Sequence, residues 1–165
     1  MSGCKINNKE TKSVSDIEVL TMPHGLWFFC DIALWQHRCF LFIGSRKEMC
    51  ESFEKNHHAN NLTESEIKFA RDWASTHDNT TDGDAFGIEN TAFIRLSDFV
   101  IGKVDDIAIL SHKCLHVANR VLRIVGLQGD HNCEGLAYTQ EFIFKSLLLQ
   151  MMQQRGLQPL TTEES

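Results

Sequence analysis

At 165 residues and 18.8 kDa the chain has the length of one domain, and burying roughly 70% of its unfolded surface gives a core without disulfides or structural metal. Apolar residues supply 42%, charged residues 23%, and Pro with Gly only 12 positions, which excludes collagen-like, low-complexity and wholly disordered chains. Acidic residues outnumber Lys plus Arg by 22 to 16, and a net charge of −6 argues against non-specific DNA binding through a basic face.

Residues Met1 to Ser15 are polar and read as a flexible tail without a secretory signal. No apolar stretch approaches the roughly 20 residues that span a bilayer, so no membrane role is expected. Six cysteines, at 4, 30, 39, 50, 114 and 133, form no CxxC pair, and reduced thiols in a cytosol are the expectation. Residues 16–154 are expected to form one domain, with 155–165 as a second loose end.

Short runs rich in aromatic and branched residues predict strands at Ile17 to Leu20, Leu26 to Ile32, Cys39 to Ile43 and Thr91 to Leu96. The aromatic run Leu26-Trp27-Phe28-Phe29 and Trp35 read as core. Arg46 to Asn56 has helical composition, and Thr63-Glu64-Ser65-Glu66 is a capping box that opens a second helix ending near Thr76. Asp78 to Glu89 fits the skeleton of a calcium loop, with oxygen side chains at its first, third and fifth positions, Gly83 at the sixth and Glu89 at the twelfth. Ala85, Phe86 and the strand that follows argue instead for an acidic surface loop. His57-His58 read as solvated loop residues.

The last third carries the clearest pattern. Val104 to Val125 predicts a helix, with Asp105 and Asp106 suiting its N-terminal dipole and Gly126 its left-handed cap. Leu110, Cys114, Val117, Val121 and Ile124 recur at spacings of 4, 3, 4 and 3, a stripe that faces a core. A second helix is expected from Glu134 to Gln154. Cys114 on the stripe reads as a small buried hydrophobe. His112 and His116 lie about 40° apart on a face opposite the stripe, shared by Asn119 and Arg123. Two imidazoles one turn apart bind one divalent ion, and Glu134 on the next helix offers a third ligand, with Cys133 beside it as an alternative. The other reading is that both histidines are polar-face residues without metal, Asn119 pairing with His116.

His112-Lys113-Cys114-Leu115-His116 followed by Glu134 resembles the HExxH…E pattern of zincin metallopeptidases. Together with Phe93-Ile94-Arg95-Leu96, Val125-Gly126-Leu127 and Glu134-Gly135-Leu136-Ala137-Tyr138, the order over residues 91–150 resembles small zincin-like proteins of tailed bacteriophages. The resemblance implies an α+β fold, a small N-terminal sheet packed on a zincin-like C-terminal helical pair. It implies zinc held by His112, His116 and Glu134, with Asn119 and Tyr138 behind these ligands.

The sequence departs from that pattern at Lys113, where the family has the glutamate that takes a proton from metal-bound water. An ammonium with an ordinary pKa of about 10.4 cannot accept that proton and sits unfavourably beside a divalent cation. The expected function is therefore a phage zincin-like protein without peptidase activity, a virion or assembly component or a host-protein-binding factor in the host cytoplasm or the virion. The alternatives are an active zinc-dependent hydrolase using another base, for example Glu141, and an interaction module without metal.

Overall fold

The computed structural model describes residues 20–56, 62–76, 81–127 and 133–157, the side chains of 54–56 excepted. The fold is α+β: a mixed sheet with two helices on one face and the two C-terminal helices on the other. The expected tail at 1–15, residues 158–165 of the one expected at 155–165, most of the Ile17 to Leu20 run, His57-His58 and residues 77–80 lie outside the described residues.

The strands are β1 (Leu20–Thr21), β2 (Leu26–Ile32), β3 (His37–Ile43), β4 (Gly83–Ile88), β5 (Thr91–Leu96) and β6 (Val100–Ile101). The helices are α1 (Arg46–Asn56), α2 (Glu64–Thr76), α3 (Val104–Ile124) and α4 (Cys133–Gln154). The main sheet has the order β2-β3-β5-β4; β2 and β4 run antiparallel to their neighbours, and β3 and β5 pair in parallel. A parallel pair needs a crossover, and α1, α2 and β4 supply it. β1 and β6 form a separate two-stranded ribbon.

Side-chain alternation sorts the two layers. Phe40 and Phe42 of β3 and Phe93 of β5 turn toward Met49 and Phe53 of α1 and Ile67 and Ala70 of α2. Cys39, Leu41, Ile43, Ile94 and Leu96 turn the other way, onto Leu110, Cys114, Val117 and Val121 of α3 and Ile143, Leu147 and Met151 of α4. Covered on both faces, the two central strands are apolar from Cys39 to Ile43, from Ala92 to Ile94 and at Leu96, as buried parallel strands are, with His37, Arg38, Thr91 and Arg95 as the polar exceptions. Phe28 is buried in the same core, Trp27 half-buried, and Phe29 43% exposed beside α4.

The capping box of α2 forms as expected: the Thr63 amide donates to Glu66 Oε2 at 2.7 Å and the Glu66 amide to Thr63 Oγ1 at 3.3 Å. α3 ends as expected too, with Gly126 at φ +79° and the Leu127 amide donating to Leu122 O at 2.8 Å. The stripe of α3 is buried from Leu110 to Val121, while Ile124 is 42% exposed because the helix has run past the sheet.

The acidic-loop reading of Asp78 to Glu89 is corrected over its described part. Gly83 to Ile88 is a full edge strand paired residue by residue with β5. Asp84 is buried rather than solvated: Arg46 Nη2 donates to its Oδ1 at 2.9 Å, Arg95 Nε to its Oδ2 at 2.6 Å and Thr81 Oγ1 to Oδ1 at 2.8 Å. This Arg–Asp–Arg cluster ties α1, β4 and β5 together. Burial raises the Asp84 pKa, but the bonds from Arg46, Thr81 and Arg95 outweigh it and hold the carboxyl below its ordinary value.

Candidate functional site

The direction of α3 follows from its contacts with β4. Ile109 lies against Gly83 and Arg120 against Gly87, so helix and edge strand run side by side in the same sense. Glycine is needed at residue 87, where a Cβ would come within 2.6 Å of Thr91 O and 2.7 Å of Arg120 Nε. Because the buried stripe of α3 fixes its rotation, the arc beside the stripe is turned toward the sheet edge. Lys113, His116, Arg120 and Arg123, spaced 3, 4 and 3 apart, fall within about 80° of one another on that arc.

They line a cleft of about 500 Å3 whose other walls are Gly83 to Gly87 of β4 and Trp73 of α2. Trp73 stacks on Phe86 with centroids 3.7 Å apart and planes 9° from parallel, and the Arg46 guanidinium lies 4.9 Å from the Trp73 ring centroid.

The His112 and His116 rings stand 4.5 Å apart, as the one-turn spacing implies; both are exposed, and His116 lies at the border of the cleft. Burial, then the neighbouring His112 and Lys113, hold His116 below its ordinary pKa. Glu134 is exposed in the first turn of α4. Among the described residues no three His, Cys, Asp or Glu side chains are grouped to hold a metal ion, so Glu134 does not complete a ligand set with the two histidines, nor does Cys133. Asn119 is exposed on α3. Tyr138, 70% exposed, lies in a different depression, against Leu34 and Phe142. The spacing of the two imidazoles fits a zinc ligand pair; the described residues supply no third ligand beside them, and the cations around His116 do not fit the ion.

The alternative base Glu141 is placed elsewhere as well: it pairs with Lys145 Nζ at 2.5 Å and borders the depression of Tyr138. The sulfur chemistry is quiet. Burial, then the nearby Cys30, pushes the Cys114 thiol up to about 12, so the core reading of Cys114 holds.

Arg120 was not singled out from the sequence, although the Lys-His-Arg-Arg period was legible there. Its Nε is shut off from solvent with no acceptor among the described residues, and Nη2 donates to Glu89 O at 3.3 Å. Burial, then Arg123, lowers its pKa.

Compared with protein-family models, curated proteins and solved structures, the chain matches none. No helix among the described residues is long and apolar enough to cross a membrane.

Proposed function

We propose that this chain is a zincin-like protein of bacteriophage type that works by binding a protein partner, as a virion or assembly component or a host-directed factor, and not by peptide hydrolysis. The carrying observation is Lys113. It stands where the resembled pattern has its general base, and it lines the cleft beside His116. In the resembled pattern the histidines are spent as metal ligands, so the proton from bound water must go to a carboxylate beside them. Asp84, the carboxylate among the described cleft residues, is held ionised and enclosed by Arg46 and Arg95. Glu141 faces another part of the surface.

Support for a protein partner comes from a separate surface, bordered by α4 and the residues that follow β2. Leu34, Tyr138 and Phe142 are 81%, 70% and 50% exposed around an apolar depression of about 680 Å3. Grouped exposed aromatics of this kind mark contact surfaces on soluble domains.

The catalytic half is tested with protein purified without a histidine tag, assayed for zinc content and for turnover of peptide libraries with and without added zinc. No turnover is expected. Chelator-sensitive turnover that disappears in His116→Ala would overturn the proposal. The binding half is tested by placing a photo-crosslinking amino acid at Tyr138 or Phe142 in producing cells. One discrete adduct with a virion or host protein is expected, and absence of adducts from both positions counts against it.

A further inference from the structure

We propose that the cleft between α3 and β4 is a binding site for a phosphate-class oxyanion, held by Lys113, Arg120 and Arg123 with His116 as a further donor. The proposal needs neither a metal nor a peptidase ancestry, and it stands apart from the protein-binding reading above.

The argument starts from charge balance. The protein carries −6 overall, yet the cleft gathers three permanent cations on one helical arc. Of the cations elsewhere in the described structure, Arg38 pairs with Glu66, Arg46 and Arg95 with Asp84, Lys103 with Asp106 and Lys145 with Glu141, while the exposed Lys68 and Arg155 stand in solvent. Among the described residues no carboxylate pairs with Lys113, Arg120 or Arg123, and the one carboxylate that borders the cleft is already saturated by two other arginines.

Burial adds to the demand. A guanidinium carries five donors in a fixed fork. For Arg120 the one hydrogen bond described is the Nη2 contact with Glu89 O, and its Nε is sealed against β4 at Gly87. A half-buried cation with unmet donors beside Arg123 has lost water without gaining a counter-charge, which is unfavourable until an anion arrives.

Ligand class follows from the count of charges and from the walls. One carboxylate would leave two of the three cations unmatched, whereas a phosphate monoester brings nearly two negative charges and three acceptor oxygens. Stacking of a nucleobase is disfavoured, because Trp73 already stacks on Phe86 and has the Arg46 guanidinium 4.9 Å from its ring centroid. The phosphoryl group therefore belongs to inorganic phosphate or to a phosphorylated side chain.

The full chain is titrated calorimetrically with inorganic phosphate, with a phosphoserine peptide and with acetate at matched ionic strength, while the His116 ring resonances are followed by NMR. Saturable phosphate binding that moves His116 is expected, with acetate far weaker. Lys113→Gln and Arg120→Gln are each expected to weaken phosphate roughly tenfold or more, the worth of a charge-assisted hydrogen bond. Tighter binding of the phosphopeptide than of phosphate assigns the group to a protein side chain, and equal binding assigns it to the free anion. If Arg120→Gln does not fold, Lys113→Gln and the exposed Arg123→Gln carry the test. No saturable binding, equal affinity for acetate, or unchanged affinity in the variants overturns the site.

Discussion

Replacing Asp84 by asparagine keeps the shape of the side chain and removes its charge, leaving Arg46 and Arg95 buried and facing each other. Arg46 is 4% exposed and Arg95 2%, so little solvent is available to screen them. Two charge-assisted bonds, from Arg46 at 2.9 Å and Arg95 at 2.6 Å, lose their ionic acceptor. At about 1.5–3 kcal/mol each they sum to roughly 3–6 kcal/mol, in line with the 3–5 kcal/mol typical for removing one partner of a buried pair. For a chain of this length 1 kcal/mol moves Tm by about 2–4 °C, so Tm should fall by roughly 6–24 °C. Urea melts monitored by circular dichroism measure the loss directly. The triple replacement Asp84→Leu, Arg46→Met, Arg95→Met should be much less damaging than Asp84→Asn alone, because no charge is left buried. The pH dependence has a definite sign: Asp84 titrates lower folded than unfolded, so its contribution is present above the unfolded value near pH 3.9 and is lost as pH falls through the folded value. The acid limb of the stability curve should therefore flatten in Asp84→Asn. A cost below about 1 kcal/mol with an unchanged urea slope would refute the view that the cluster holds β4 to α1 and β5.

Other expectations follow from single contacts. Gly87→Ala should cost about 1–3 kcal/mol and speed amide exchange in β4, because the new methyl meets both Thr91 O and Arg120 Nε; unchanged exchange would argue against that packing. Leu110→Ala, at a fully buried site between α3 and the sheet, should cost about 2–5 kcal/mol in the same urea melts. His24, bonded to Asp98 at 2.8 Å and to Glu48 at 3.3 Å, should titrate above 6.5 by NMR; its small stabilisation is present at low pH and fades as pH rises through the folded value. Cys114 should resist alkylation at pH 8 in the native protein and react once the chain is unfolded, since its thiol is held at about 12 by burial.

Periodicity and punctuation in the sequence determined α2, α3 and α4 closely, because their signals are local: a capping box at Thr63-Glu66, acidic residues at 105 and 106, a glycine at 126, and an apolar stripe at helical spacing. The strands Leu26 to Ile32 and Thr91 to Leu96 were legible for the same reason, being short apolar runs between turn residues. β4 was not, because Gly83-Asp84 carries turn composition; its strand state is imposed by hydrogen bonding to β5, and Asp84 is tolerated inside only because Arg46 and Arg95, distant in sequence, converge on it. The histidine pair was equally a local fact, set by one turn of helix. Whether Glu134 joins that pair depends on how α4 packs on α3, and the packing leaves Glu134 at the surface. The cleft likewise belongs to the tertiary structure. Sequence placed Lys113, His116, Arg120 and Arg123 on one arc of a helix, but burial of Leu110, Cys114, Val117 and Val121 against the sheet turned that arc onto the glycine-lined edge of β4, where four side chains became one site.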